Sequence, residues 1–294
     1  MRRRRPVLSF LILAFLVTIP VVSPAQQVPA VRATWLSAKL QPGTVGLVLV
    51  HPVAAAAAVE GAVAGQPLTF FPYADGVAAL VGLDLDVQPG RQPWKIAVLD
   101  GDGPPRTLSG SITVEPRTFS LQRLTLPSFQ VDLDAETVGR AELEAHRLRT
   151  LYATLTPERL WRGRFVLPVP GAGPGEGFGA RRIINGQPRS PHSGVDYAAD
   201  RGTPVVAANS GQVALVGEFF FPGRLVAIDH GLGLYTLYFH LERALVSEGD
   251  RVDRGQPIGA VGATGRVTGP HLHFGAQLGS ARIDPEALMK LKID

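Results

Sequence analysis

The chain has 294 residues, 45% of them hydrophobic and 18% charged, a balance that builds a real core and excludes a disordered polymer. Its formal charge of +4 arises from 29 basic against 25 acidic residues, but four of the arginines lie in residues 1–25, which hold no acid. The rest of the chain is therefore close to neutral and lacks the electrostatic footprint of a nucleic-acid binder. With no cysteine, disulfides, thiolate metal sites and lipid attachment through cysteine are all excluded, and a metal would have to use His, Asp or Glu.

The first residues, MRRRRPVLSFLILAFLVTIPVVSPAQQ, combine the cationic stretch Arg2 to Arg5, an apolar run from Val7 to Val22 and the small-residue segment Ser23-Pro24-Ala25. This is the layout of a secretory signal peptide over residues 1–25, cut after Ala25. The apolar run is about 16 residues long and contains Pro20, which is short for a bilayer span. The expectation is an exported chain, in the periplasm or cell envelope or secreted, with no stable membrane span once the signal is removed.

Residues 28–124 read as short strands separated by turn signals. VGLVLVH, LTFFPY, VAALVGLDLDV, WKIAVLD and SGSITVE are strand candidates, with Gln41-Pro42-Gly43, Gln88-Pro89-Gly90 and Asp100-Gly101-Asp102-Gly103-Pro104 between them. Such spacing predicts a small, immunoglobulin-like β-sandwich serving as an accessory domain. The alanine-rich run VAAAAAVEGAVAG, closed by Gly61 and Gly65, is read as a strand. Asp100 and Asp102 do not make a calcium loop, because Pro104 and Pro105 follow at once and no glutamate stands at the twelfth position. His51 and His146 have no partners at ligand spacing and read as structural.

Residues 125–165 form a helical connector. AETVGRAELEAHRLRTLYATL, Ala135 to Leu155, follows Asp134 as N-cap, with Glu136 and Glu142 early and Arg147 and Arg149 late. Residues 166–294 return to strand and turn. They open with a glycine-rich loop whose Gly175-x-Gly177-x-x-Ala180 only loosely matches a dinucleotide fingerprint, broken by Pro174 and framed by no strand–helix pair. The fold class is mainly β, and this last part reads as a compact antiparallel sheet.

The chemistry concentrates here. In SPHSGVDYAAD, His192 and Asp196 are four residues apart, and in extended geometry an even spacing puts side chains on one face. His271 and His273 in GPHLHFG share a face for the same reason, and LYTLYFHL delivers His240 at the end of an alternating run. Two imidazoles and one carboxylate would give a metal three protein ligands and leave a position free for water. Spacing alone leaves a pair of surface histidines equally open. His230, in the turn DHGLG, reads as a structural hydrogen-bonding group.

HSGVD at 192–196, YFHL at 238–241 and HLH at 271–273, with the glycine frame FGARRIINGQPRSPHSGVDYAADRGTPVVAANSGQV and the run GATGRVTGPHLHFG, resemble the lysostaphin/LytM-type zinc metallopeptidases over about residues 178–288. The resemblance implies an antiparallel β-sheet groove and Zn2+ held by His192, Asp196 and His273. It implies His240 and His271 as catalytic groups. His271, beside the ligand His273, is placed to take a proton from the water and His240 to face the developing oxyanion, while which of the two is the general base stays open. The activity it implies is zinc-dependent endopeptidase cleavage of peptide cross-links or stem peptides of bacterial peptidoglycan, by attack of an activated water on the scissile carbonyl. A non-catalytic, metallopeptidase-like regulator that binds and activates another wall hydrolase is the alternative, against which the full set of histidines and aspartate stands. Arg181, Arg182 and Arg266 could engage carboxylates of a wall peptide or be ordinary solvated charges. Contact between the N-terminal domain and the groove is a further expectation.

Overall fold

The computed structural model describes residues 30–36, 39–101 and 103–292. The signal segment expected over residues 1–25 and Asp102 of the turn discussed above lie outside the described residues. Eight strands come first: β1 (Arg32–Leu36), β2 (Val45–His51), β3 (Ala58–Val63), β4 (Gln66–Pro67), β5 (Phe70–Tyr73), β6 (Gly76–Gly82), β7 (Gly90–Leu99) and β8 (Arg106–Val114). They form two antiparallel sheets, ordered β1-β2-β6-β5 and β4-β3-β7-β8.

The near-continuous apolar runs of β2 and β6 follow from burial on both faces of their sheet. Val48, Val50, Ala79 and Val81 face the second sheet, where they meet Val63, Ile96, Val98, Ile112 and Val114. The alternate residues Val45, Leu47, Ala78 and Leu80 turn the other way and join the core of the C-terminal half. Of the alanine-rich run, only Ala58–Val63 is strand, because Ala57 N–H closes a turn on the Ala54 carbonyl at 2.9 Å.

β9 (Leu121–Leu124) leads to α1 (Ala135–Ala153), whose N-cap is Asp134 as expected: its carboxylate accepts from Thr137 N–H at 2.8 Å. The strands β10 (Arg181–Ile184) and β11 (Gln187–Arg189) form a hairpin about Asn185-Gly186. Both turn residues have positive φ, 48° and 79°, as a two-residue type I′ connection requires. β9 pairs in parallel with β10, so the end of the N-terminal region is hydrogen-bonded to the hairpin.

The remaining strands are β12 (Gly194–Ala198), β13 (Pro204–Val206), β14 (Gly211–Phe219), β15 (Gly223–Asp229), β16 (Leu234–Ala244), β17 (Arg251–Val252), β18 (Pro257–Val261), β19 (His271–Leu278) and β20 (Ala281–Ile283), followed by α2 (Pro285–Lys290). They build one nine-stranded sheet with the main path β12-β19-β16-β15-β14-β17. Alternation again sorts the side chains. Val226, Ile228, Tyr238, Leu272 and Phe274 enter the large core shared with β2 and β6. Leu215, Leu225, Ala227 and Leu237 face the other way, under Leu148, Leu151 and Tyr152 of α1. α1 thus covers β14 to β16 on that face and leaves its β12–β19 side accessible.

A polar clamp ties the two halves together. Arg282 on β20 donates to both carboxylate oxygens of Asp84, at 2.7 and 3.0 Å, and to Asp86 at 2.8 Å. Among the described residues, no helix is long and apolar enough to cross a membrane.

Candidate metal centre

Strand register assembles the site. Asp196 on β12 lies directly opposite His273 on β19, and His273 lies opposite Phe239 on β16. Residues directly opposite across an antiparallel pair point to the same face, so Asp196 and His273 converge, and His271, two residues before His273, shares that face.

His192 arrives by another route. It lies ahead of β12, so the even-spacing argument does not place it. Its backbone pairs with the glycine loop instead: its N–H donates to Ala180 O at 3.0 Å, and its carbonyl accepts from Gly179 N–H at 2.8 Å. The weak dinucleotide match is thereby explained as packing. Gly177 has φ +90°, and a Cβ there would stand 2.7 Å from His192 Nδ1.

His240 needs an irregularity. By simple alternation it would point away from Phe239, yet the Phe239 ring stacks on His273 at 5.2 Å while the His240 ring lies 4.9 Å from that of His271. Between Arg224↔Leu241 and Val226↔Tyr238 the β15–β16 register shifts, so Phe239 and His240 together face Leu225 alone. Within this bulge His240 takes φ +63°, which turns its ring back to the site. A non-glycine residue in that region stores strain, as functional positions often do.

The result is a tight donor triangle. His192 Nε2 is 2.7 Å from His273 Nδ1, and each of these nitrogens is 3.0 Å from Asp196 Oδ1. His192 and His273 are buried, and no other group within the same reach completes a larger set among the described residues. Three donor atoms crowded this closely have too few protons between them to satisfy one another. Their spacing suits ligands of one tetrahedral ion at bond lengths of about 2.0–2.2 Å, so the residues present fit zinc. His192 Nδ1, on the far side of its ring, is buried with no hydrogen-bond partner.

Burial works to raise the Asp196 pKa, but hydrogen bonding and charge from His192 and His273 outweigh it and hold the carboxyl well below the usual range. Burial lowers His273 to about 4, against the pull of Asp196, so a neutral imidazole faces a carboxylate. That is the protonation state a metal needs. His240 is lowered to about 3 by burial, with His273 and His271 adding to the effect.

The two other histidines stand beside the triangle. His271 Nε2 lies 3.7 Å from Asp196 Oδ1, while its Nδ1 donates to Gly269 O at 2.9 Å. His240 Nδ1 donates to Thr264 O at 2.9 Å. These carbonyls accept only from an N–H, so in the neutral tautomer of each ring that N–H is on Nδ1 and Nε2 keeps its lone pair.

All five expected site residues therefore come together. His230 does not join them; it is fully buried, bonded to Ser210 O at 2.8 Å and Thr236 Oγ1 at 2.7 Å, and burial lowers its pKa to about 4. Arg181 leaves the rim and lies 3.6 Å from Asp86, whereas Arg182 stays, 3.5 Å from Asp196 Oδ2. Of the consecutive Phe219, Phe220 and Phe221, Phe219 is core, and Phe221 lies under the Arg266 guanidinium at 4.0 Å. Sequence reasoning did not single out Phe239, Thr264 or Arg189, since nothing in their spacing marks them.

The model of peptidase family M23 matches residues 190–285, the segment that holds all five residues. The peptidoglycan DD-endopeptidase ShyA of Vibrio cholerae is 47% identical over 85 residues, 29% of this chain and 20% of that protein. The DD-carboxypeptidase/endopeptidase Mpg of Neisseria meningitidis is 45% identical over 94 residues, 32% of this chain and 22% of that protein. The aligned part thus spans only about a fifth of these curated relatives. A crystal structure from Pseudomonas aeruginosa, assigned to peptidase M23, is 30% identical with a TM-score of 0.66. It covers 85% of this chain and 95% of that one, so the likeness extends well beyond residues 190–285.

Proposed function

Because the chain belongs to peptidase family M23, we propose that it is a zinc-dependent endopeptidase that hydrolyses peptide cross-links or stem peptides of bacterial peptidoglycan. The observation that carries this reading is the His192–Asp196–His273 triangle, its two imidazoles buried and its carboxylate half-buried, with two further imidazoles, His240 and His271, held beside it. The relatives named as DD-endopeptidases make a D,D cross-link the first substrate to test.

Zinc, when bound by His192, Asp196 and His273, would supply a Lewis acid that polarises the scissile carbonyl and lowers the pKa of a water to about 7. The protein's own groups do the rest. His271 is anchored through Nδ1 to Gly269 O, so its Nε2 accepts a proton from the attacking water. The protonated ring then has an N–H to give the leaving amine. His240, anchored to Thr264 O, likewise presents an acceptor, so it orients the same water rather than donating to the oxyanion while its ring is neutral. Phe239, stacked on His273, holds that ligand's ring plane.

In this reading residues 28–124 are an accessory β-sandwich, residues 125–165 a connector and residues 166–294 the peptidase domain. The strand orders β1-β2-β6-β5 and β4-β3-β7-β8 support an immunoglobulin-like sandwich. Export to the cell envelope accords with a wall substrate. The reading is tested by zinc analysis of the purified chain and by hydrolysis of a synthetic cross-linked wall peptide before and after chelation. Zinc near one per chain and cleavage abolished by the chelator are expected; cleavage that persists without metal would overturn it.

A further inference from the structure

Beside the metal triangle stand three guanidiniums that the mechanism does not use. The Asn185-Gly186 turn fixes the register of β10 and β11 so that Arg182 lies directly opposite Arg189. Like charges in that relation destabilise a hairpin unless an anion answers them. Arg266 lies two residues beyond Thr264, whose carbonyl accepts from His240 Nδ1 at 2.9 Å, which sets it on the same side of the site. Burial, with the charges of Arg189 and Arg182 adding to it, lowers its pKa to about 10.

The protein supplies almost no counter-charge. Arg182 faces Asp196 at 3.5 Å, but that carboxylate belongs to the donor triangle. Arg189 donates to Val131 O and Gln187 Oε1, both uncharged, and its Nε is buried with no partner. Arg266 lies on the Phe221 ring. Among the described residues, neither Arg189 nor Arg266 forms an ion pair with a carboxylate. A structural role would pair these cations; their convergence, half-buried and unanswered beside the metal triangle, suits an anion delivered from outside.

We propose that Arg182, Arg189 and Arg266 form an anion subsite that takes a carboxylate of the peptide next to the bond that is cut. This rests on the peptidase reading above and deepens it: the substrate is an acidic peptide with a free carboxylate beside the scissile bond, and amidation of that carboxylate weakens it as a substrate. Guanidinium suits the task because its fork of N–H donors matches the two oxygens of a carboxylate. The Arg266 guanidinium lies over the Phe221 ring, 4.0 Å from its centroid, which holds it in place.

The test compares two synthetic cross-linked peptides that differ only in whether that carboxylate is free or a carboxamide, cleaved by the full zinc-loaded chain. The wild type should favour the free acid in kcat/KM by roughly 10- to 100-fold, the range of one or two charge-assisted hydrogen bonds. Arg189→Gln and Arg266→Gln should each bring this ratio towards one, and Arg266→Lys, which keeps the charge, should restore part of it. Arg182 is left intact because it touches Asp196. Zinc content and melting temperature identify any variant that has not folded, in which case the other carries the comparison. A wild-type ratio near one, or an undiminished ratio in both folded variants, would overturn the subsite while leaving the peptidase standing. Cleavage of neither peptide by the wild type would overturn the peptidase reading and the subsite with it.

Discussion

Replacing His271 by Ala should separate hydrolysis from metal binding, whereas replacing His273 should remove both. The candidate ligand atoms of His192, Asp196 and His273 lie within 2.7–3.0 Å of one another, while His271 Nε2 stands 3.7 Å from Asp196 Oδ1, outside that triangle. His271→Ala therefore leaves three ligands, and zinc should stay near one per chain. What it removes is the proton acceptor, and general-base assistance is worth typically 10²–10⁴ in rate, about 3–5 kcal/mol of barrier. His273→Ala leaves two ligands, opens the space beneath Phe239, and should yield metal-free protein. Metal analysis of the dialysed variants, with kcat/KM on one cross-linked peptide, reads both effects. Equal zinc loss in the two variants, or full activity in His271→Ala, would refute the division of labour.

Two further substitutions probe how the site and its support are built. A Cβ at Gly194 would lie 2.5 Å from Phe274 O and 2.7 Å from His273 Nε2, so Gly194→Ala should cost about 1–3 kcal/mol and weaken zinc binding; an unchanged melting temperature and zinc affinity would show that the ring yields freely. Asp84→Ala cuts the partly buried clamp to Arg282, whose side chains are 24% and 29% exposed, and should lower the melting temperature by about 3–10 °C, corresponding to about 1–3 kcal/mol. Hydrogen bonds and charge from Arg282, opposed by burial, hold the Asp84 carboxyl below its ordinary value. Its contribution is therefore complete above pH ~4 and lost as pH falls through the folded pKa, so the gap between wild type and Asp84→Ala should close in acid. A gap that widens there would contradict this sign.

Much of the site was legible because strands convert spacing into direction. The two-residue step between His271 and His273 places both on one face of β19, and the Asp134 cap announces α1 within two residues of its far end. What stayed hidden depends on contacts between distant segments. His192 is held by Gly179 and Ala180 rather than by a strand, and His240 reaches the site only through a bulge that no local pattern reports. Arg181 and Arg182 look alike in sequence, yet strand alternation sends one to Asp86 and the other to Asp196. The continuous apolar runs of β2 and β6 fit a strand in either a free sandwich or one buried against a neighbour. Only the packed structure shows that Val45, Leu47, Ala78 and Leu80 belong to the same core as the sheet that carries Asp196 and His273.

The most direct measurement is digestion of purified peptidoglycan sacculi by the purified chain, with mass analysis of the soluble fragments, in zinc buffer, after chelation and after zinc is restored. Release of fragments cut at a peptide bond, lost on chelation and recovered with zinc, is the predicted result. Binding to sacculi with no fragments released under any of the three conditions would contradict it and mark the chain as a regulator of another hydrolase.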